Sequence, residues 1–325
     1  MDLSVLDLVP ILQGQTVTQS FQHSLDLARH VEELGYKRFW VAEHHDTTGI
    51  GSSSPEVVIG YIAQGTESIR VGSGGIMLPN HTAYHAAEVF RTLEAIHPGR
   101  IDLGLGRAPG TTSRAAYELR RGTSLMAEDF PDQVSDLVSF FKDEHQLKAV
   151  PVGAGIPQIW ILGSSDWGAR FAAQQGLPFA FAQHFSSLDP VAVFRLYKDN
   201  FQPSEWLEKP RAMMASHIIC AKTDEEAEEL ALSSDVLHAS FITKGTALPL
   251  QSVEAAREVG LTEDIRQQLR QTFPKFVGSP TTVGNMMSRL LEHVDELIVL
   301  SMIYDQEARR KSYTLVKEAI SSPVS

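Results

Sequence analysis

Short apolar runs and one-sided amphipathic stretches alternate along the chain. Leu3 to Val9 reads as a first buried strand. From Ser20 to Leu34, Phe21, Leu25, Ala28 and Val31 fall on one face at helical spacing, and Gly35 ends the helix. Arg38 to Ala42 reads as a second strand. Pro55 to Thr66 reads as a helix, with Ser54 as its cap and Pro55 at the first helical position. The spacing then predicts a strand over Ile69–Met77, a helix over Ala83–Ile96 and a strand over Ile101–Leu105, with Pro98-Gly99 marking the last junction. Ala108 to Ser124 is polar and carries arginines without a clear period. A helix over Asp132–Asp143 follows. The fifth strand is Gln158–Leu162 with its helix Asp166–Gln175, and the sixth is Pro178–Ala182 with its helix Pro190–Asn200. Ala212–Ala221 is the seventh strand, and Thr223 caps an acidic helix from Asp224. Ser279-Pro280 starts another helix, Leu297–Ser301 is the eighth strand, and Gln306–Ile320 closes the chain.

Eight strands alternating with helices predict an α/β fold, a (β/α)8 TIM-type barrel. A doubly wound sheet would call for a glycine-rich turn after the first strand, and Pro10-Ile11-Leu12-Gln13-Gly14 is not one. No internal repeat, low-complexity tract or composition break divides residues 1–325, so a single domain is expected. Residues 241–276 lack a sustained strand–helix rhythm. They are expected to be an insertion between strands seven and eight that serves as a mobile lid, with Lys244-Gly245 and Gly260 as bending points.

Composition narrows the class of function. The 325 residues suffice for a large core, and 43% hydrophobic with 21% charged residues is an ordinary globular balance. The net charge of −12 disfavours nucleic acid and anionic membranes as partners. It also means that an anionic cofactor needs a local positive site. Cys220 is the only cysteine, so no intrachain disulfide can form. Met1-Asp2-Leu3 lacks the pattern of a signal peptide, and no apolar run is long enough to span a membrane. A cytoplasmic protein is expected.

Candidate chemistry collects at strand ends. The second strand stops abruptly in Glu43-His44-His45, and three adjacent ionisable groups at a barrel strand's C-terminal end are costly to bury without partners or a task. Adjacent residues point to opposite faces, so His44 and His45 do not readily share one metal ion. His81 and His85, four apart at a helix start, lack a third ligand in register, and no metal is expected. Gly72, Gly74 and Gly75 end the third strand, which suggests either something flat against the backbone or a kink that closes the barrel. Arg107 stands among small residues after the fourth strand and suits a phosphate or carboxylate, or a rim salt bridge. Gly163-Ser164-Ser165 precedes the helix after strand five, where unpaired N–H groups and hydroxyls offer an anion seat or an ordinary cap.

With these motifs the chain resembles the bacterial luciferase-like, flavin-dependent monooxygenases over nearly its whole length. The resemblance rests on Glu43-His44-His45, on Thr66-Glu67-Ser68-Ile69-Arg70-Val71-Gly72, on Pro98-Gly99-Arg100 ahead of Gly104-Leu105-Gly106-Arg107, and on Gly278-Ser279-Pro280. The fifth-strand loop Gly163 to Asp166 is similar to that of an uncharacterised FMN oxidoreductase branch. The resemblance implies a barrel that binds reduced FMN at the strand C-termini and reacts it with O2. It implies that His44 serves the flavin–oxygen chemistry, with Glu43 beside it. It also implies that Gly74-Gly75 underlies the isoalloxazine ring, often through a cis peptide, and that Arg107 contacts the phosphate. Luciferase's reactive cysteine is replaced by Gly106 and its fifth-strand glutamate by Gly163, so light emission is not expected.

The resulting expectation is an FMN-dependent monooxygenase acting on a small organic substrate, with a separate flavin reductase because no nicotinamide fingerprint is present. A flavin- or deazaflavin-dependent dehydrogenase on the same barrel is the first alternative, and a non-catalytic flavin-binding protein the second. A homodimer is expected through the second and third helices. Val57, Val58, Ile59, Tyr61 and Ile62 nearly encircle the second, and Tyr84, Ala87, Phe90 and Leu93 line the third.

Overall fold

A computed structural model describes residues 1–108, 111–120 and 127–321. Pro109 and Gly110 of the fourth-strand motif, and residues 121–124 of the polar stretch, lie outside the described residues. The elements run β1 (Asp2–Asp7), α1 (Val17–Glu33), β2 (Arg38–Val41), α2 (Pro55–Gln64), β3 (Arg70–Met77), α3 (Ala83–Ile96), β4 (Ile101–Gly106), α4 (Ser113–Arg120) and α5 (Phe130–Phe141). They continue with β5 (Gln158–Gly163), α6 (Asp166–Gln175), β6 (Phe179–Ala182), α7 (Pro190–Asp199), β7 (Ala212–Cys220), α8 (Asp224–Lys244), α9 (Val253–Val259), α10 (Glu263–Thr272), β8 (Lys275–Gly278), α11 (Pro280–Leu291), β9 (Glu296–Leu300) and α12 (Gln306–Ser321).

The strands are parallel throughout. β1 to β6 pair in chain order, β6 pairs with β7, β7 with β9, and β9 returns to β1, which closes an eight-stranded barrel. β8 is a ninth strand. It pairs with the last residues of β7, from His217 to Cys220, beyond the point at which β6 has ended at Ala182. The rhythmless stretch 241–276 is therefore more regular than the sequence suggested. It holds the last turn of α8, then α9, α10 and the first half of β8. Its pattern was illegible because its helices barely enter the core: α9 buries only Ala256 and α10 only Leu269. The polar stretch after strand four hides α4 for the same reason, since that helix buries only Ala116.

Local signals set most boundaries. α1 begins three residues earlier than its apolar stripe because Thr16 and Gln19 form a reciprocal capping box. α6 stops at Gly176, whose left-handed φ of 62° suits glycine.

Alternate strand residues point into the barrel and stack in layers. At the N-terminal end Arg38 donates to Asp102 at 2.8 Å, to Glu296 at 2.7 Å and to Gln158 at 2.7 Å, while Arg70 reaches Asp102 at 2.6 Å. Arg38, Asp102 and Glu296 are fully buried, so removing one partner would strand an opposite charge at a cost of about 3–5 kcal/mol. Above this charged floor lies an apolar layer of Leu6, Trp40, Trp160, Met213 and Ile298, with the two indoles edge to face at 5.5 Å. This base separates the C-terminal mouth of the barrel from a shallower cavity of about 410 Å³ at the other end, beside Arg38, Arg70 and Arg211.

Candidate active site

The mouth holds a cavity of about 550 Å³, within the usual range for small-molecule sites. Its walls include His44, Gly74, Gly75, Arg107, Gly163, Ser164 and Ser165, so one space gathers every expected site residue except Glu43.

Glu43 lies behind the wall. Its carboxylate is fully buried and accepts hydrogen bonds from His45 Nε2 at 2.9 Å, Met77 N at 2.8 Å, Asn80 Nδ2 at 3.1 Å and His81 Nε2 at 3.0 Å. Burial alone would raise its pKa, but the bonds from His45, His81 and Met77 overcome that and hold it at about 2. His81 gains in turn. Burial opposes its charge, yet Glu43 raises its pKa above the ordinary value. Glu43 thus anchors the loop after β2 to the end of β3, and the backbone adds a bond from Glu43 N to Gly75 O at 3.3 Å. His45 turns its Nε2 to Glu43, two residues back, and both His44 and His45 contribute to the cavity wall.

His44 Nδ1 is buried and has no partner. Desolvation lowers the pKa of this ring to about 4, with a smaller contribution from the facing His184. An unperturbed histidine titrates near neutrality, whereas burial here keeps His44 uncharged at pH 7.

At the end of β3 the Gly74–Gly75 peptide is cis, and the pairing with β4 shifts register between Gly74 and Ile76. The glycines answer to packing beneath the cavity. A Cβ at Gly74 would lie 2.8 Å from Leu6 Cδ1, and one at Gly75 would lie 2.8 Å from Gly104 O. The two peptides remain bare on the cavity side and can underlie a flat ring. At β5, Gly163 and Gly168 bring α6 against the strand, since a Cβ on either would stand 3.3 Å from the other's Cα.

Arg107 is half-buried and lies over the Trp167 ring at 4.1 Å. No carboxylate pairs with it among the described residues, so the rim salt bridge weighed from sequence is not formed. Ser165 caps α6 without spending its hydroxyl on the helix. Arg107, that hydroxyl and the α6 N-terminus are free to take an anion, although Asp166 in the first turn tempers the local field.

Three cavity residues were missed from the sequence: His184 just after β6, His217 on β7 and His238 on α8. Ala182 and Ala215 are the last register partners of β6 and β7; His217 lies two residues further along β7, and the turn over Gln183–Phe185 brings His184 to the same wall, its Nδ1 3.1 Å from Ala215 O. Strand parity would have revealed His217 had the barrel register been known, but not His184 in the turn after β6 or His238 on α8. Desolvation lowers the pKa of His184 to about 4 and that of His238 to about 3, and it also lowers that of His217 well below the ordinary value. No group of three ligating side chains is arranged to hold a metal ion among the described residues.

The top of the cavity is crossed by residues 246–250. Gly49 N donates to Ala247 O, Leu250 N to Ile11 O, and Gln13 N to Leu250 O. The expected lid segment therefore starts by bridging the loops after β1 and β2.

A closed parallel barrel with a cavity of this size at the strand C-termini, walled by the β3 glycines, His44 and Arg107, has the architecture of a barrel enzyme. The chain belongs to the luciferase-like monooxygenase family, whose model matches residues 1–290. It is 41% identical to a luciferase-like monooxygenase of Escherichia coli K12 over 97% of this chain and 96% of that protein. Among solved structures it is similar to apo-MsnO8, with 34% identity, a TM-score of 0.91 and 98% of each chain covered. It also shares its fold with the oxygenating constituent of a Pseudomonas putida 3,6-diketocamphane monooxygenase in complex with FMN. That match has 19% identity and a TM-score of 0.75, and covers 100% of this chain and 99% of the other. Among the described residues no helix is long and apolar enough to cross a membrane.

Proposed function

We propose that the chain binds reduced FMN in the mouth cavity and uses it with O2 to oxygenate a small organic substrate, a separate reductase supplying the flavin. The observation that carries this reading is the convergence of His44, Gly74-Gly75, Arg107 and Ser164-Ser165 on one cavity. The residues fit the group. The bare β3 peptides suit an isoalloxazine face, and the unpaired Arg107 with the α6 N-terminus suits a phosphate on a chain of net charge −12.

When bound, reduced FMN supplies the electrons that activate O2. The protein's part is positioning and proton control. His44 is uncharged at pH 7, so one ring nitrogen donates and the other accepts, and it can hold or pass a proton at the cavity wall. Glu43 fixes the loop that carries His44 and the Met77 end of β3, so it is a positioning residue. Apolar walls that include Trp40, Leu162, Ile298 and Phe273 exclude water.

The rival dehydrogenase reading uses the same cavity without oxygen. Oxygen consumption during turnover with reduced FMN across a panel of ketones, thioethers and amides separates the two: substrate product without O2 uptake would favour the rival. Flavin binding with no turnover on the whole panel would favour a non-catalytic binder.

The reading includes a homodimer through α2 and α3. Val58, Ile59 and Ile62 are buried inside the protomer, while Val57 is 68% exposed and Tyr61 41% exposed on the opposite side of α2, which leaves an apolar strip for a partner. It also includes a lid formed by residues 241–276, bending at Gly245 and Gly260, and a cytoplasmic location, where the lone buried Cys220 meets no oxidising demand.

A further inference from the structure

His184 and His217 stand side by side on the β6–β7 wall, and their partners fix their tautomers. His184 Nδ1 lies 3.1 Å from Ala215 O. A carbonyl only accepts, so Nδ1 carries the proton and Nε2 keeps its lone pair. His217 Nε2 lies 3.4 Å from Met302 N. A backbone N–H only donates, so Nε2 accepts and the ring proton is on Nδ1. Both rings line the cavity, and among the described residues no hydrogen bond takes up His184 Nε2 or His217 Nδ1, which leaves these two nitrogens for a ligand. The wall thus presents one acceptor and one donor. His217 sits on β7 two residues beyond Ala215, the register partner of the last β6 residue Ala182, and the single turn over Gln183–Phe185 holds the His184 ring against β7 through its bond to Ala215 O.

We propose that His184 and His217 form a matched acceptor and donor that binds the edge of an uncharged ligand whose carbonyl and N–H lie side by side, as in a primary amide, a lactam or a pyrimidinedione. An extended secondary amide does not fit, because its carbonyl and N–H point to opposite sides. Anions are disfavoured, since the neighbouring imidazoles are held neutral and Lys275, the nearby cation, is paired with Asp235 at 2.6 Å. A metal is not the ligand, because no ligating triad exists here among the described residues. The matching edge can belong to the oxygenated substrate or to the pyrimidine ring of the flavin itself, so the inference deepens the FMN reading and rests on it for the second source.

The test uses matched probes and reads binding rather than turnover. Calorimetry on the flavin-free protein, and flavin absorbance changes on the protein loaded with oxidised FMN, compare hexanamide, 2-heptanone and hexanoate, which share one shape and differ in hydrogen bonding and charge. A parallel titration compares FMN with 3-methyl-FMN, whose N–H is blocked. At least one pair, hexanamide over 2-heptanone or FMN over 3-methyl-FMN, should differ by about tenfold or more, the scale of one or two well-made hydrogen bonds. The pair that differs identifies the source. The preference should vanish in His184→Phe and His217→Phe. It should survive in His184→Gln, which can place an oxygen near the Nε2 position, and in His217→Asn, which can place a donor near the Nδ1 position. Equal affinities within both pairs in the parent protein, or tighter binding of hexanoate than of hexanamide, would overturn the proposal. If FMN fails to bind at all, the flavin reading falls, and the calorimetric comparison still decides whether the histidine pair reads an amide edge.

Discussion

Replacing Glu43 by glutamine tests how the site is held. The side chain keeps its size, but one oxygen becomes an NH2 group. Glu43 Oε1 faces His45 and Asn80, and Oε2 faces Met77 N and His81, all within 3.1 Å. With its NH2 in the Oε2 place the amide sets a donor against the fixed Met77 N–H, and with its NH2 in the Oε1 place it faces Asn80 Nδ2 and can keep His45 only if that ring changes tautomer. The carboxylate's fall from 4.5 to about 2, at about 1.4 kcal/mol per unit, makes the ionised form worth about 3 kcal/mol in this setting. Glu43→Gln should therefore lower stability by about 3 kcal/mol, a fall in Tm of roughly 6 °C for a chain of this size. The pH dependence has a defined sign. A carboxylate with a depressed pKa gives stability that is full above its unfolded value near 4.5 and is lost as pH falls through about 2. His81, with a raised pKa, gives stability that is full below its unfolded value near 6.5 and is lost as pH rises through its folded value. The Tm gap between parent and variant should be widest from about pH 4.5 to 6.5 and should narrow on the alkaline side. Differential scanning fluorimetry across that range measures it. A gap below about 2 °C at pH 6, or one that does not change with pH, would refute this account of the anchor.

On the proposed FMN reading, Arg107→Ala should weaken FMN binding far more than riboflavin binding, because only FMN carries a phosphate for a guanidinium to hold; equal losses would move the phosphate elsewhere. Sedimentation should give the parent twice the mass of its chain at micromolar concentration, and Val57→Glu with Tyr61→Glu should give a monomer; a monomeric parent would remove the α2–α3 interface. Limited proteolysis within residues 241–276 should slow when FMN is added, and an unchanged cleavage rate would argue against a lid.

The barrel itself was legible because its strands are buried on both faces and its main helices carry one apolar stripe. β4 and α6 fall within a residue of where the periodicity puts them. Elements that touch the core through a single residue, such as α4 and α10, left no stripe to read. The candidate site was half legible. His44, Arg107 and the β3 glycines stand out because polar or glycine residues interrupt apolar strands. His184, His217 and His238 did not, since a lone histidine in a chain segment gives no sign of which way it points until the fold is known. The partners of Glu43 were hidden for a related reason: Asn80 and His81 come from the turn after β3, and only the folded barrel brings that turn to the end of β2.

The most direct test of the central claim is anaerobic titration of the protein with reduced FMN, followed by admission of O2 while flavin oxidation and hydrogen peroxide release are recorded. The account predicts saturation at one flavin per chain for both the parent and His44→Ala. It also predicts slower peroxide release from the parent than from free flavin. The variant should release peroxide early and should show coupled oxygenation of any accepted substrate reduced by roughly a hundredfold, the usual scale for a lost proton-transfer group. No saturable binding of reduced FMN, or identical oxidation time courses for parent, His44→Ala and free flavin, would contradict it.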